Sequence, residues 1–401
     1  AQERFMNSTR HWLDGLKLRA SYGVIGNQNI NPYTFTPSMS VNNKATSWII
    51  DDTYVTSISS LPALVSQNFT WEKVGTINVG LDVNLFNNRL SGVFEWYQRN
   101  TNGMLAPGVQ LPAVVGASAP YQNTADMRTR GWELSLNWRD QIGKVGYRIG
   151  FNLSDYKSEI IKYDDNAATK LLSSYYPGQT LGEIWGYVVD GYYTVDDFVD
   201  TSSWQLKEGV TSINGYNVRP GDVKFKNLRD DDTSTNVITS GDNTFDNPGD
   251  RKVIGNTTPR YQYGINLGMN YAGFDLNVIL QGTGKRDYWI SNVLTFPMNG
   301  DNFVPLFEGL SDYWMPKDPD NGDWSAVNPN AKYPRIYGNR GNSGSNLRQS
   351  DKYLSDASYL RIKNITLSYK LPKKWVNQIF LNQMKAFVSI ENVATFTSLP
   401  S

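Results

Sequence analysis

The sequence predicts an all-β protein that crosses a membrane as an antiparallel β-barrel. Three observations favour this fold class. Nine long segments alternate polar and apolar residues, short and long connections follow each other in turn, and charged residues repeatedly lie on the polar face and almost never in the middle of the apolar one. A membrane barrel needs all three properties, because its outer face meets lipid, its inner face meets water and its strands must span the bilayer.

The nine alternating segments are longer than ordinary strands. Most of them run for about ten to twelve residues, the length that a tilted strand needs to cross a bilayer. Strands of soluble proteins are commonly about five or six residues long. The segments cover residues 14–24, 75–86, 89–99, 128–139, 144–155, 260–271, 274–283, 359–370 and 382–392.

The two faces are plainest in residues 261–282, YQYGINLGMNYAGFDLNVILQG. Apolar residues take every second position on both sides of a turn at Ala272-Gly273, and Asn, Gly, Asp and Gln lie between most of them. The apolar positions are Ile265, Leu267, Met269, Tyr271, Phe274, Leu276, Val278 and Leu280. A lysine or arginine facing lipid at mid-membrane costs about 2–4 kcal/mol. We therefore predict that the apolar side contacts lipid and that the polar side lines a wet lumen.

The connections alternate between short turns and long polar spans. Short turns are predicted at Asn87-Asn88, Gln141–Gly143 and Ala272-Gly273, and Pro372–Trp375 opens the last short link. The long spans are residues 25–70, 100–127, 156–250 and 284–358. Outer-membrane barrels have short periplasmic turns and long extracellular loops. The alternative is a large soluble β-protein with insertions, which has no reason to make every second link long.

Tryptophan and tyrosine lie near the ends of several predicted strands. Rings that are apolar at one end and polar at the other suit the two membrane interfaces. We predict that they form aromatic girdles, although any single ring could be an ordinary core aromatic. The residues are Trp96, Tyr97, Trp132, Trp138, Tyr147, Tyr261, Tyr271 and Tyr369.

Composition narrows the remaining choices. The 401 residues carry 38 basic and 38 acidic side chains, so charge gives no reason to expect a nucleic-acid partner. There is no cysteine, which excludes disulfides, zinc–thiolate sites and thiol nucleophiles from this chain. No run of about 18 apolar residues predicts a transmembrane helix. A mean hydropathy of -0.47 still fits a barrel, because its lumen face is polar.

An odd number of strands leaves an unpaired edge, which lipid does not tolerate. Leu13–Gly15 reads as another turn, so we expect a strand before it, and the chain stops at FTSLPS just after the ninth segment. We therefore expect residues 1–401 to be part of a larger barrel that continues at both ends.

Several stretches resemble one family. These are LKLRASYGVIGNQNI, RTRGWELSLNW, EIWGYVVDGYY, GDVKFKNL, VIGNTTPRYQYGINLGMNYAGFDLNVILQG, SYLRIKNITLSYKLP and FVSIENVATFT. In this order they are similar to the C-terminal half of SusC/RagA-type TonB-dependent transporters of Bacteroidetes. The resemblance implies a 22-stranded barrel plugged in its lumen, of which residues 1–401 form a partial barrel domain. The plug, the first strands and the last strand or strands would lie outside it.

The resemblance also implies a function. Such transporters reside in the outer membrane, take up an oligosaccharide, glycan or oligopeptide, and are capped by a SusD-like surface lipoprotein. TonB supplies the energy through the N-terminal region, and surface glycan-binding proteins or hydrolases can accompany the complex. Outer-membrane lipid is the remaining partner, and no cofactor is implied.

One stretch departs from the family pattern. Many relatives carry an acidic loop resembling a cation site after the GDxKFKxL phrase, where this chain has Asn227, Arg229, Asp231 and Asp232. A hard cation needs several oxygen ligands and a glycine for the sharp turn. We therefore expect a solvated acidic loop and no metal.

The residues for catalysis are few. His11 is the only histidine, and no Ser-His-Asp, HExxH or phosphate-loop motif occurs. The carboxylate pairs Asp164-Asp165 and Asp196-Asp197 are adjacent in sequence, whereas a glycosidase holds one raised and one ionised acid on separate rigid positions. We expect that the protein is not an enzyme.

Aromatic residues beside amides and carboxylates in the long loops are candidate substrate contacts, because sugar faces stack on such rings. The alternative is that these rings pack the loops together or against the lid. The candidates are Tyr192, Tyr193, Tyr288, Trp289, Asn292, Tyr313, Trp314 and Trp324.

Two other functions remain open at this stage. A passive porin would use the same strands in a smaller barrel without a plug. A secreted glycan-binding β-protein would dissolve without detergent and bury its apolar faces against protein.

Overall fold

Nine long strands dominate the structure, a computed structural model. It describes residues 8–9, 11–28, 70–229, 236–291, 306–337 and 344–399, with short pieces between residues 36 and 66. The strands are β1 (Leu13–Asn27), β2 (Glu72–Leu85), β3 (Leu90–Pro107), β4 (Tyr121–Ile142), β5 (Val145–Tyr163), β6 (Arg260–Tyr271), β7 (Phe274–Lys285), β8 (Tyr359–Lys370) and β9 (Lys385–Thr397).

All nine strands join one sheet in chain order. Each overlaps one of the nine segments predicted from the sequence, so the predicted strands are confirmed. The pairs from β1–β2 to β4–β5 are antiparallel, and residues directly opposite each other share a face. One such row across five strands is Leu18, Leu81, Phe94, Leu134 and Leu153.

Strands β3, β4 and β5 run well beyond their predicted ends. The predicted loop 100–127 shrinks to residues 108–120, which include a 3₁₀ turn at Ala113–Val115. The sequence prediction was wrong here because it followed apolar alternation. Both faces of these strands carry polar residues past Trp96 and Trp132, while the backbone pairing continues.

Two of the short turns rely on left-handed backbone. Phe86, Asn87 and Asn88 have φ of 58°, 57° and 57°, and Ala272-Gly273 has φ of 49° and 90°. Asn and Gly adopt this region most readily, which explains why these two turns could be predicted from the sequence. The Asn87-Asn88 turn is also fixed by a bond from the Asn88 N–H to an Asp14 carboxylate oxygen, 2.8 Å.

The link between β8 and β9 is not a short turn. It spans residues 371–384 and contains an α-helix, Lys373–Val376, followed by a 3₁₀ turn, Asn377–Ile379. It is about as long as the 108–120 connection, so the predicted strict alternation of link lengths is wrong at this point. Pro372 is the N-cap residue immediately before the helix, where its missing N–H removes no helical hydrogen bond.

The chain forms two compact units. Unit 1 comprises Ala1–Leu181, Tyr263–Ile279 and Asn364–Glu391. Unit 2 comprises Gly182–Gln262, Leu280–Lys363 and Asn392–Ser401. No helix in the described part of the chain is long and apolar enough to cross a membrane.

Unit 2 is built from short strand pairs and 3₁₀ turns. The strand pairs are Glu183–Tyr187 with Arg251–Asn256, Val189–Tyr192 with Val223–Phe225, Ser212–Ile213 with Val237–Ile238, Asp287–Trp289 with Leu354–Asp356, and Pro316–Asp318 with Asp323–Ala326. The turns are Val195–Asp197, Glu308–Leu310, Pro319–Asn321 and Asp351–Tyr353. Unit 1 adds a turn at Asp164–Asn166 and the small pairs Val41–Asn42 with Ile58–Ser59 and Ile49–Ile50 with Thr53–Tyr54.

Unit 2 has its own hydrophobic core, which explains how such short elements stay folded. The main cluster consists of Tyr187, Tyr193, Phe198, Ile213, Val218, Val223, Phe225 and Ile238. A smaller cluster contains Leu310, Tyr333 and Tyr353.

Candidate functional site

In the described part of the chain, one face of the nine-stranded sheet carries large apolar side chains that are exposed. Leu18 in β1 is 75% exposed, and on inner strands Phe94 and Met269 keep 43% and 47% of their surface. Further large apolar side chains exposed on this face are Leu16, Tyr22, Ile77, Val79, Leu81, Trp96, Ile149, Leu267, Phe274, Leu367, Val388 and Ile390. An exposed apolar surface of this extent marks contact with a membrane or with another protein.

Aromatic rings bound the apolar face at both ends. Near the short turns, the Trp138 Nε1–H donates to the Tyr147 hydroxyl at 3.3 Å, and Phe86 lies 6.3 Å from Trp138. Towards the long connections, Phe94 stacks with Trp132 at 6.4 Å. This placement matches the predicted girdles at Trp132, Trp138 and Tyr147. The prediction was wrong for Tyr97, which lies on the opposite face of the sheet, over Gly131.

Beyond Trp96 and Trp132 the same face turns polar. Gln98 and Arg130 are the next opposite pair, and the Arg130 Nε–H donates to the Gln98 Oε1 at 2.8 Å. Lys157 follows on β5, opposite Arg130. The apolar belt therefore ends within the strands.

The opposite face carries ion pairs that run across the strands. The Arg19 guanidinium lies 2.7 Å from a carboxylate oxygen of Asp82 and 2.7 Å from one of Glu95. Glu95 belongs to β3, two strands from Arg19, and Gly80 lies between them in the register. A side-chain carbon at Gly80 would come within 3.0 Å of the guanidinium, so the glycine opens the path.

A second and a third side chain lie flat over glycines in the same way. The Tyr97 ring covers Gly131, where an added Cβ would meet the ring at 2.5 Å. Arg148 crosses Gly268 to reach Asp275 at 3.5 Å and the Asn277 Oδ1 at 3.3 Å. Large polar side chains therefore lie flat along the polar face of the sheet, and the glycine beneath each of them leaves space for it.

Two of the eight candidate substrate contacts lie in the protein interior. Tyr193 is fully buried in the main core of unit 2, where its hydroxyl donates to the Thr211 carbonyl at 2.6 Å. Trp314 is 3% exposed and packs on Gly221, whose φ is 90°. In this conformation neither ring presents surface to a ligand, and both stabilise unit 2.

Three candidates are partly buried. Tyr192 donates its hydroxyl to the Ala331 carbonyl at 2.9 Å and carries Lys352 over its ring at 4.6 Å. Trp289 and Tyr313 pack against the smaller core cluster. Burial raises the pKa of the Tyr192 hydroxyl above its usual value.

The remaining candidates differ in surroundings. Tyr288 is 47% exposed, and Trp324 is half-buried. Trp204 meets Trp324 edge to face at 5.1 Å, and the Arg335 guanidinium lies 5.0 Å from the Trp324 ring. Asn292 lies outside the described residues. Contact of Tyr288 or Trp324 with substrate stays a prediction.

The carboxylate of Asp222 is 0% exposed, and nothing in the sequence around it predicts this burial. It accepts bonds from the Tyr337 hydroxyl at 2.8 Å, the Asn346 Nδ2 at 2.9 Å and the Arg219 N–H at 2.8 Å. Burial raises the pKa of Asp222 to about 6. Tyr337 and Asn346 are far away in sequence, so no local pattern could reveal these two contacts.

The other acids have structural roles. Asp250 accepts the backbone N–H groups of Leu228 and Thr239 at 2.9 and 2.7 Å. Asp197 caps its 3₁₀ turn through the Thr194 N–H and pairs with Lys224 at 3.1 Å. Asp164 pairs with Lys162 at 3.0 Å. These contacts assign structural roles to Asp164 and Asp197, members of the two carboxylate pairs considered for catalysis.

The structure describes only part of the acidic loop that follows the GDVKFKNL stretch. Asn227 and Arg229 are described, and the Asn227 Oδ1 accepts the Arg229 N–H at 3.2 Å, whereas Asp231 and Asp232 lie outside the described residues. Within the described part of the chain, no group of three or more His, Cys, Asp or Glu could hold a metal ion.

Comparison with known proteins identifies relatives. No family model matches the chain. It is 28% identical over 418 residues to TonB-dependent receptor P3 of Formosa agariphila, covering 100% of this chain and 36% of that protein. It is 25% identical over 390 residues to TonB-dependent receptor SusC of Bacteroides thetaiotaomicron, covering 94% of this chain and 34% of SusC. The chain spans about a third of the length of the curated relatives it matches.

Solved structures give the same fold. The RagAB peptide transporter superimposes with a TM-score of 0.69 at 23% identity, covering 96% of this chain and 37% of that one. The open-open state of the RagAB peptide importer gives 0.68. Together with the receptor relatives, these matches confirm the resemblance to SusC/RagA-like TonB-dependent transporters, with this chain corresponding to the C-terminal part of the larger proteins. The relatives are receptors and transporters, which agrees with the expectation that the chain is not an enzyme.

Proposed function

Because the chain is homologous to the C-terminal part of SusC-type TonB-dependent receptors, we propose that it forms part of the barrel subunit of an outer-membrane nutrient importer. The nutrient is an oligosaccharide, a glycan or an oligopeptide. The lumen is gated by a plug and capped by a SusD-like lipoprotein, and TonB supplies the energy. The RagAB relatives are named as peptide transporters, which keeps the peptide alternative open.

One observation carries this proposal: the sheet has an uncovered apolar face and an opposite face of ion pairs and amides. The apolar belt lies between aromatic rings at Trp138 and Trp132. A secreted glycan-binding protein has no use for such a belt, because its apolar side chains would be covered by protein. In such a barrel, charged groups on the opposite face, such as Arg19, would face water in the lumen.

Within this function, exposed Tyr288 and half-buried Trp324 are the proposed substrate contacts. Rings of this kind stack on sugar faces or on peptide side chains. The similarity to SusC implies a SusD-like lipoprotein lid as a partner. Surface glycan-binding proteins or hydrolases are further proposed partners.

Uptake by cells tests the proposal. A strain lacking the gene is complemented with the intact protein, and uptake of fluorescent oligosaccharides and oligopeptides is measured with and without TonB. We expect uptake of one cargo class that requires both the gene and TonB. Uptake that persists without TonB would identify a passive porin. A protein found soluble without detergent would exclude the membrane function altogether.

A further inference from the structure

Three arginines form one row across the polar face of unit 1, next to the short turns. Arg139 in β4 lies directly opposite Arg148 in β5. Arg89, just before β3, is next to Arg139 on the other side, because the Arg139 N–H donates to the Arg89 carbonyl at 2.9 Å. Like charges directly opposite each other destabilise a sheet. A row of three is therefore costly unless an anion lies on it.

The carboxylates nearby neutralise only the ends of the row. Arg89 pairs with Asp140 at 3.2 Å, and Arg148 reaches Asp275 at 3.5 Å. The central residue, Arg139, has no carboxylate partner among the residues that the structure describes. Its side chain is exposed, so the row offers a guanidinium whose N–H donors are available to a ligand.

Neutral amides extend the row into a cleft of about 480 Å³. Asn84, Asn137 and Asn266 line it together with the three arginines. Gly150 keeps it open, because a side chain there would approach the Asn137 Oδ1 to 3.0 Å. A cleft of this size can hold a small ligand group, and the amides add donors without adding charge.

We infer that this arginine row binds a carboxylate group. Two of the three positive charges have a carboxylate beside them, so one charge remains, which matches a single negative charge. The planar guanidinium fork fits the two oxygens of a carboxylate. The carboxylate has two possible sources: a solute in the lumen, or an acidic side chain from a part of the protein outside these residues.

Thermal unfolding of the purified intact protein in detergent separates these sources without any measurement of import. The probes are acetate and its neutral isostere acetamide at constant ionic strength. The test variant is Arg139→Gln, and the matched control is Arg99→Gln. Arg99 is an exposed arginine on the same face, and its opposite neighbours are Thr76 and Thr129.

If a solute occupies the row, acetate raises the melting temperature in a saturable way and acetamide does not. Half-saturation then needs at least about tenfold more acetate in Arg139→Gln, the loss expected for one charge-assisted bond, and is unchanged in Arg99→Gln. If the protein's own carboxylate occupies it, acetate has no effect and Arg139→Gln melts below Arg99→Gln. Arg139→Lys, which keeps the charge but loses the fork, serves the same comparison if Arg139→Gln does not assemble.

The inference is overturned by either of two results. One is an acetate effect of equal strength in wild type and Arg139→Gln. The other is no acetate effect together with an Arg139→Gln variant that melts no lower than Arg99→Gln, because removing a charge from an unoccupied row only relieves repulsion. Neither result bears on import, so the proposed function stands or falls separately.

Discussion

Arginine placed at Leu134 or at Ser135 tests which face of the sheet meets lipid. Leu134 lies in the apolar belt opposite Phe94 and Leu153. Ser135, one residue on, lies on the polar face opposite Val93 and Asn152. The two substitutions introduce the same side chain at nearly the same depth, so they differ in the face alone.

The expected loss in the free energy of unfolding depends on how deep in the membrane the arginine lies. An arginine facing lipid at mid-membrane costs about 2–4 kcal/mol. Leu134 lies two residues, roughly 7 Å along the strand, from the ring of Trp132. That distance is within reach of an arginine side chain, so snorkelling recovers part of the cost. We expect Leu134→Arg to cost about 2 kcal/mol and Ser135→Arg to cost less than about 1 kcal/mol.

Urea unfolding of the intact protein in lipid vesicles, followed by tryptophan fluorescence, measures both values from the transition midpoints and slopes. A Ser135→Arg variant that is destabilised as much as Leu134→Arg would refute the assignment of the two faces. So would a Leu134→Arg variant with wild-type stability.

Three further predictions concern packing and pH. Gly131→Val should lower the free energy of unfolding in urea by about 1–3 kcal/mol, because the valine side chain collides with the Tyr97 ring. The control is Gly23→Val, whose side chain meets nothing within 4 Å and should change that free energy by less than about 0.5 kcal/mol. Equal losses in the two variants would contradict the packing of Tyr97 on Gly131. Trp314→Ala should lower the free energy of unfolding by about 3–5 kcal/mol and unfold unit 2, because Trp314 is buried. Tyr288→Ala should leave the circular dichroism of the protein unchanged and weaken only cargo binding, because Tyr288 is exposed. The raised pKa of Asp222, about 6, means that the folded state holds the proton more tightly than the unfolded state, so its contribution to stability falls as pH rises from about 4 to 6. The melting temperature of Asp222→Asn should therefore rise relative to wild type across that window, and a constant difference between the two would show that Asp222 does not titrate there.

The sequence predicted the nine strands because their two faces meet different surroundings. Leu267 and Met269 are apolar while Asn266 and Gly268 are not, and this difference is local in the chain. The outer parts of β3–β5 were missed because, past Trp96 and Trp132, both faces are polar and the alternation disappears. Backbone pairing alone extends these strands, and it depends on neighbours rather than on local sequence.

The candidate site was predictable in type but not in detail. The sequence shows which aromatic residues lie in the long connections, but it does not show which of them are buried. Tyr193 and Trp314 are buried, whereas Tyr288 is exposed. Burial depends on which segments pack together in unit 2. The arginine row was equally hidden, because Arg89, Arg139 and Arg148 become neighbours only through the register of three strands.

The outer parts of β3 and β4 have a mechanical consequence. From Trp96 to Pro107 the strand continues for roughly 35 Å, at about 3.3 Å per residue, and stays paired with β4 apart from register shifts between Thr101 and Leu105. At a tilt of about 40°, this ribbon stands roughly 25 Å beyond the lipid boundary. Hydrogen-bonded strands resist bending and have little conformational freedom left to lose. In the proposed importer, a molecule that contacts this part of the wall would spend little of its binding free energy on ordering it.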